Sequence, residues 1–111
     1  ISSSEINENL LVDIEQLEPY GNGNEEPTFL ITGLSIDYFK IIKDKHLMIF
    51  LKNNLGEIIK AISFNSIGTE LGENLMKNKS SSFNFICVIK RDNFNNSMMP
   101  QLIIRDVIII D

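Results

Sequence analysis

Residues 17–29 read Leu-Glu-Pro-Tyr-Gly-Asn-Gly-Asn-Glu-Glu-Pro-Thr-Phe, and this stretch divides the chain into two parts with different patterns. Pro19 prevents a helix from continuing, because it lacks a backbone N–H and its ring clashes with the preceding turn. Gly21 and Gly23 allow backbone angles that other residues avoid, and the neighbouring asparagines tolerate the left-handed region. The stretch therefore predicts a rigid elbow between a helix and a strand.

The residues before the elbow predict an amphipathic helix over about residues 5–16. Apolar residues recur there at helical spacing with acids between them. They are Ile6, Leu10, Leu11, Ile14 and Leu17. Ser2 and Glu5 have the spacing of a capping box. A helix of this length is not stable alone, so its apolar stripe packs either on the rest of this chain or on a neighbouring domain.

The residues after the elbow predict five strands, near 29–42, 46–52, 58–65, 83–91 and 101–109. A helical pattern at Leu71, Leu75 and Met76 separates the third strand from the fourth. Three strands, a short helix and two strands is the order of the OB fold, a five-stranded Greek-key barrel. Gly33 suits the bulge or bend that lets such a barrel close. Another small barrel or an α+β sandwich is the rival fold.

Length and composition indicate one globular domain. The 111 residues allow one core but not two, and 43% apolar residues is too many for a disordered chain. We expect a connecting helix over 1–18, the elbow over 19–28 and an all-β OB barrel over 29–111. The chain begins with Ile1 and not Met, so we expect it to be part of a longer protein.

The charge of the chain is unevenly distributed. The net charge is −5, but residues 1–26 hold seven acids and no Lys or Arg. The remainder carries ten basic and eight acidic residues. The predicted barrel is therefore mildly basic, which permits binding to nucleic acid without requiring it.

The cysteine content and the hydropathy of the chain indicate the cellular compartment in which it works. Cys87 is the single cysteine and lies in an apolar run, so we expect a buried thiol and no internal disulfide. A reducing cytoplasm fits this pattern. No run reaches the ~20 apolar residues of a membrane span, and no signal peptide is visible, so we expect no membrane partner.

Several short motifs follow one another in a specific order. They are the elbow, Lys45-His46-Leu47, Ala61-Ile62-Ser63-Phe64-Asn65, Phe94-Asn95 and Gln101-Leu102-Ile103-Ile104. Together they resemble the OB domain of the RecJ family of single-strand-specific DNA exonucleases, over about residues 14–108. Glu25 stands where the family usually has proline, and Asn96 where it usually has glycine. The basic residues that often follow Asn96 in the family are absent here, which predicts weaker phosphate contacts by that loop.

The resemblance implies a parent bacterial enzyme that degrades single-stranded DNA from the 5′ end in repair and recombination. In that family paired Mn²⁺ or Mg²⁺ ions lie in a site rich in carboxylates and histidines, with an Asp-His-His motif, as two-metal hydrolysis requires. This chain has one histidine, no Asp-His-His motif and scattered acids. It also has no phosphate-binding glycine loop before a helix and no nucleophile with a base. We therefore expect no catalysis and no cofactor in this fragment.

The candidate residues for binding DNA follow from the usual OB surface, which lies between the loops that join strands one and two and strands four and five. They are Lys43, Lys45, His46, Lys60, Asn65, Lys90, Arg91 and Phe94. The lysines could equally be solvated turn residues, Phe94 could cap the barrel end, and His46 could be a structural histidine. Tyr38 and Phe39 are adjacent, so one of them should be core, but the pattern does not say which.

Strand two has a second apolar face. Leu47, Ile49 and Leu51 alternate as core residues, which places Met48 and Phe50 on the opposite face with His46 and Lys52. Outward apolar residues indicate a contact with DNA or with the nuclease domains of the parent protein, unless a local helix covers them. We expect Met48 and Phe50 at such an interface.

Two functions remain open from the sequence. The first is a domain that holds single-stranded DNA against the nuclease core. The second is a bracing module with little DNA affinity, which docks on the nuclease domains or on a partner such as single-strand-binding protein. A self-contained enzyme would need a metal cluster that the sequence does not offer.

Overall fold

The computed structural model describes residues 1–20, 25–78, 81–92 and 99–110. A short 3₁₀ turn over Ser3–Glu5 precedes helix α1. The helices are α1 (Glu8–Glu15) and α2 (Glu70–Lys77). The strands are β1 (Phe29–Ile42), β2 (His46–Lys52), β3 (Ile58–Ser63), β4 (Ser82–Arg91) and β5 (Pro100–Ile110).

The five strands of the described chain form one closed barrel in the order β1-β2-β3-β5-β4. The β3–β5 pair is parallel and the other pairs are antiparallel. With α2 between β3 and β4, this is the architecture of an OB fold. The predicted fold class is confirmed.

Strand β1 is long enough to belong to two pairs, and its register shifts once within each of them. Its first half pairs with β4 and its second half with β2. The register shifts beside Gly33, whose φ of 79° lies in the region that favours glycine. A second shift falls between Ile36 and Tyr38. The predicted bend at Gly33 is confirmed.

The second shift decides which of two adjacent aromatics faces the core. The extra residue, Asp37, moves Tyr38 to the outside, where its side chain is 41% exposed. Phe39 packs against the core instead. On β2 the predicted alternation is confirmed, because Leu47, Ile49 and Leu51 are fully buried.

Helix α1 lies on the barrel and does not hang free. Leu11 and Ile14 are buried in the same core as the strands, and α1 packs against β4. The helix begins later than predicted, because Asn7 caps it with an Oδ1 that accepts from the N–H of Leu10. Glu5 instead accepts from the N–H of Ser2 in the preceding turn.

The elbow is described only in part. The hydroxyl of Tyr20 donates to the carbonyl oxygen of Ile14, near the end of α1. Glu26 forms ion pairs with Lys90 and Arg105, so the second half of the elbow also contacts the barrel. Residues 21–24, on which the predicted geometry of the elbow chiefly rests, lie outside the described residues.

Strand β3 ends earlier than predicted. It ends at Ser63, because Phe64 and Asn65 form a turn in which Asn65 has a φ of 53°. Helix α2 follows, capped by the Oγ1 of Thr69, which accepts from the N–H of Gly72. A Cβ on Gly72 would lie 2.0 Å from the carbonyl oxygen of Ser66, so only glycine fits this close approach. Leu75 of α2 is buried in the same core as the strands.

Candidate nucleic-acid interface

Three rows of side chains cross strands β1, β2 and β3 on the outside of the barrel. The register aligns the first row, Tyr38, Phe50 and Lys60. The second row is Lys40, Met48 and Ile62, and the third is Ile42, His46 and Phe64, since Phe64 follows the last paired residue of β3. We call these nine residues the β1–β3 face. None of them is fully buried.

Aromatic rings occupy opposite ends of the β1–β3 face. Tyr38 and Phe50 are stacked, with ring centroids 4.6 Å apart and planes 6° from parallel. The Nζ of Lys40 lies 5.8 Å from the Phe50 ring centroid, within cation–π range. His46 and Phe64 meet edge to face, with centroids 5.4 Å apart. Exposed rings beside cations are the arrangement on which the bases of single strands stack.

The β1–β2 turn places two of the predicted lysines beside this face. Lys43 and Asp44 have φ values of 53° and 57°, as the central residues of a type I′ turn require, and the N–H of Lys45 donates to the carbonyl oxygen of Ile42. Lys43 and Lys45 are both exposed. Among the residues that the structure describes, four lysines on or beside the face have no carboxylate partner. They are Lys40, Lys43, Lys45 and Lys52.

A groove with a volume of about 360 Å³ crosses the second and third rows of the β1–β3 face. Its lining is mainly apolar, with one amide from β5. The lining residues are Ile42, Lys43, His46, Met48, Lys60, Ile62, Phe64 and Gln101. Met48 therefore lies at a groove, and Phe50 lies in the aromatic stack above it. No residue of α2 lines this groove, and Met48 and Phe50 are both half-buried on the side of β2 opposite the core, as predicted.

His46 is held in place by a backbone hydrogen bond. Its Nδ1 accepts from the N–H of Asn65 at 2.9 Å, so the neutral ring carries its proton on Nε2. Asn65 contributes this backbone donor from its left-handed conformation. His46 and Asn65, which were predicted as separate candidates, are thus in contact, and this hydrogen bond orients the imidazole at the groove.

The predicted basic residues at the end of β4 have a different environment. Arg91 donates two hydrogen bonds to Glu15, from Nε at 3.1 Å and from Nη2 at 2.7 Å. The hydrogen bond from Arg91 lowers the pKa of the Glu15 carboxyl, and the same bond raises the pKa of Arg91. Lys90 pairs with Glu26 at 3.0 Å. These cations therefore hold the acidic N-terminal segment on the barrel.

Lys60 also has a carboxylate partner. Its Nζ lies 2.8 Å from Oδ2 of Asp92, and both side chains are largely shielded from solvent. The contact joins β3 to the end of β4 and fixes the lysine at the edge of the β1–β3 face. Phe94, the last predicted contact, lies outside the described residues.

The described residues contain no group of three His, Cys, Asp or Glu side chains that could hold a metal ion. Cys87 is buried, and burial raises the pKa of its thiol to about 12. The thiol is therefore protonated near neutral pH. In the part of the chain that the structure describes, no helix is long and apolar enough to cross a membrane.

The closed barrel, the position of α2 and the aromatic, lysine-bordered face define an OB domain with a surface suited to nucleic acid. A sequence model of the RecJ OB domain matches residues 1–106. The chain belongs to this family, whose members are the nucleic-acid-binding modules of RecJ-like proteins. No curated protein matches the chain in a sequence search.

Proposed function

We propose that this domain binds single-stranded DNA across the β1–β3 face and holds it for a 5′ to 3′ exonuclease core elsewhere in the parent protein. The observation that carries the proposal is that stacked rings lie on the same side of the barrel as lysines that have no carboxylate partner among the described residues. Bases stack on aromatic rings and phosphates pair with lysines, so both parts of a single strand have partners there.

The proposal assigns the metal chemistry to the nuclease core. Mn²⁺ or Mg²⁺ would activate water in that core, and the donor set of the described residues here does not fit such a site. This domain would capture and position the strand. We further propose a cytoplasmic setting and a role in DNA repair and recombination.

A titration of a labelled single-stranded oligonucleotide by fluorescence anisotropy tests the proposal. A duplex of equal length and two salt concentrations complete the design. We expect binding that prefers the single strand and weakens with salt, with a log–log slope of about −0.7 for each phosphate contacted. Absence of binding to the single strand at low salt would reject the proposal for the isolated domain.

The second candidate function is a bracing module that docks on the nuclease domains or on single-strand-binding protein. The mainly apolar groove beside Met48, Ile62 and Phe64 favours it, because exposed apolar surface often marks a protein contact. Docking through apolar surface responds little to salt, so the same titration separates the two functions when purified nuclease domains replace the oligonucleotide.

A further inference from the structure

We propose that the groove of about 360 Å³ on the β1–β3 face is a subsite for one nucleobase of the bound strand. This inference rests on the proposed function, because it names what the strand inserts at one position. The base would enter with its polar edge toward Gln101 and His46. Its neighbours would remain on the surface near Tyr38 and Phe50.

The size and walls of the groove suit a flat aromatic ring. Its volume is near the lower end of the ~300–1,000 Å³ typical of small-molecule sites, so it accepts one base and not a stack of several. Ile42, Met48 and Ile62 supply an aliphatic wall. The edge-to-face pair of His46 and Phe64 supplies an aromatic one.

The amide of Gln101 supplies an unused polar group. Gln101 comes from the start of β5 and directly precedes Leu102, which pairs with Ala61 in the parallel β3–β5 ladder. Gln101 is therefore level with Lys60 of β3, and both residues line the groove. Its Oε1 is buried and, among the described residues, has no hydrogen-bond partner. Leaving a buried acceptor unpaired is unfavourable. Rotation of the amide toward the groove would let it pair with a base edge, since amide and base both present a donor beside an acceptor.

His46 and Lys43 supply the remaining polar contacts. Because Asn65 occupies Nδ1 of His46, the ring offers Nε2–H as a donor at the groove. Lys43 lies at the groove edge and has no carboxylate partner in the described chain. It is placed to meet the phosphate next to the inserted base.

An apolar side chain of a partner protein is a poorer occupant. It would cover the aliphatic wall but would leave the Gln101 acceptor and the His46 donor unpaired, at a cost to binding. Lys43 at the groove edge, which has no carboxylate partner among the described residues, also favours an anionic ligand over an apolar one. A nucleobase with its phosphate meets the apolar wall, the amide, the imidazole and the lysine together.

The test compares two strands and two variants of the chain. The strands are a single-stranded oligonucleotide with all its bases and an abasic one with the same phosphates. The variants are Gln101→Leu, which keeps the size of the side chain but removes its polar atoms, and Gln16→Leu, the same change at the exposed C-cap of α1. We expect Gln101→Leu to weaken binding of the base-bearing strand about fivefold or more. Binding of the abasic strand should not change, and Gln16→Leu should match the wild type with both.

A second measurement avoids any variant that fails to fold. In the wild-type protein, the side-chain NH₂ signals of Gln101 in a ¹H–¹⁵N spectrum should shift with the base-bearing strand and not with the abasic one. Equal shifts with both strands, or unchanged affinity of Gln101→Leu, would overturn the subsite and leave the groove to a protein side chain. If the wild type binds neither strand, the proposed function itself fails, which is a distinguishable result.

Discussion

The basic side chains at the end of β4 and those on the β1–β3 face differ in their partners. Arg91 and Lys90 pair with Glu15 and Glu26 of the N-terminal segment. Lys40 instead lies over the ring of Phe50 and has no carboxylate partner in the described chain. Arg91 and Lys90 therefore attach the N-terminal segment to the barrel, whereas Lys40 is available to a ligand. Lys60 is the exception on the β1–β3 face, since it pairs with Asp92.

This difference shows why total charge is a poor guide to the binding surface. Residues 1–26 carry seven acids. Among the described residues, Glu8, Glu15 and Glu26 form ion pairs with Lys90 and Arg91 at the end of β4 and with Arg105 of β5. These three cations lie outside the β1–β3 face. The negative charge is thus used to attach α1 and the elbow. Substitutions that break the ion pairs at the end of β4 should therefore change the stability of the fold. Substitutions on the β1–β3 face should instead change the affinity for single-stranded DNA.

The largest expected effect is on stability and concerns α1. Leu11 is fully buried in the core, so Leu11→Ala should lower the free energy of unfolding by about 2–5 kcal/mol, through lost burial and a cavity. Denaturant unfolding measures this. Val12→Ala, on the exposed side of the same helix, is the matched control. A loss as small as that of the control would show that α1 is not part of the core.

The second effect is on binding and concerns the aromatic stack. Tyr38→Ala removes a stacking surface worth about 1–3 kcal/mol per base, so affinity for a single strand should fall by the corresponding factor. Tyr38→Phe keeps the ring and should keep the affinity. Because Tyr38 is exposed, the free energy of unfolding of Tyr38→Ala should differ little from that of the wild type. An unchanged affinity of Tyr38→Ala would remove the β1–β3 face from the binding surface.

A smaller effect concerns the lysines of the β1–β2 turn. If Lys43 and Lys45 each contact one phosphate, the double change to alanine should reduce the log–log salt slope by about 1.4. Anisotropy titrations at four salt concentrations measure the slope. Lys77→Ala on α2 removes an exposed lysine away from the face and is the control. Equal slopes for the two variants would show that the turn lysines are only solvated.

The smallest expected effect is a pH dependence of the free energy of unfolding, which arises from the contact between Glu15 and Arg91. The folded-state pKa of Glu15 lies below its ordinary value of 4.5, because Arg91 donates hydrogen bonds to the carboxylate. The contact therefore stabilises the protein above pH 4.5, and this contribution is lost as the pH falls through the lower folded-state pKa. Wild type should be more stable than Glu15→Gln at pH 7, and the difference should shrink in acid. A difference that is constant across this range would contradict the assignment.

Much of the fold was predictable because it depends on local patterns. The strand alternation of Leu47, Ile49 and Leu51 predicted both the core side of β2 and the outward positions of Met48 and Phe50. Gly33 predicted the bend of β1. The helix boundaries were less accurate, since Asn7 and not Ser2 caps α1.

The candidate site was less predictable because it depends on contacts between distant residues. Lys43, Lys45, His46 and Asn65 were found from turns and motifs, and the structure places all four at or beside the β1–β3 face. The sequence left open which of Tyr38 and Phe39 faces outward, because the extra residue at Asp37 that turns Tyr38 outward leaves no signal in the pattern. It also missed Gln101, which reaches the groove through a parallel pairing of distant strands.

The sequence by itself determined the order of the elements, the core side of β2 and the RecJ family to which the chain belongs. These follow from periodicity, turn residues and short motifs, all of which act over a few neighbouring residues. Only the tertiary structure decided which cations remain available to a ligand. Glu15 and Arg91 are 76 residues apart, and barrel closure with the docking of α1 brings them together, so no local pattern could show that this arginine already has a partner.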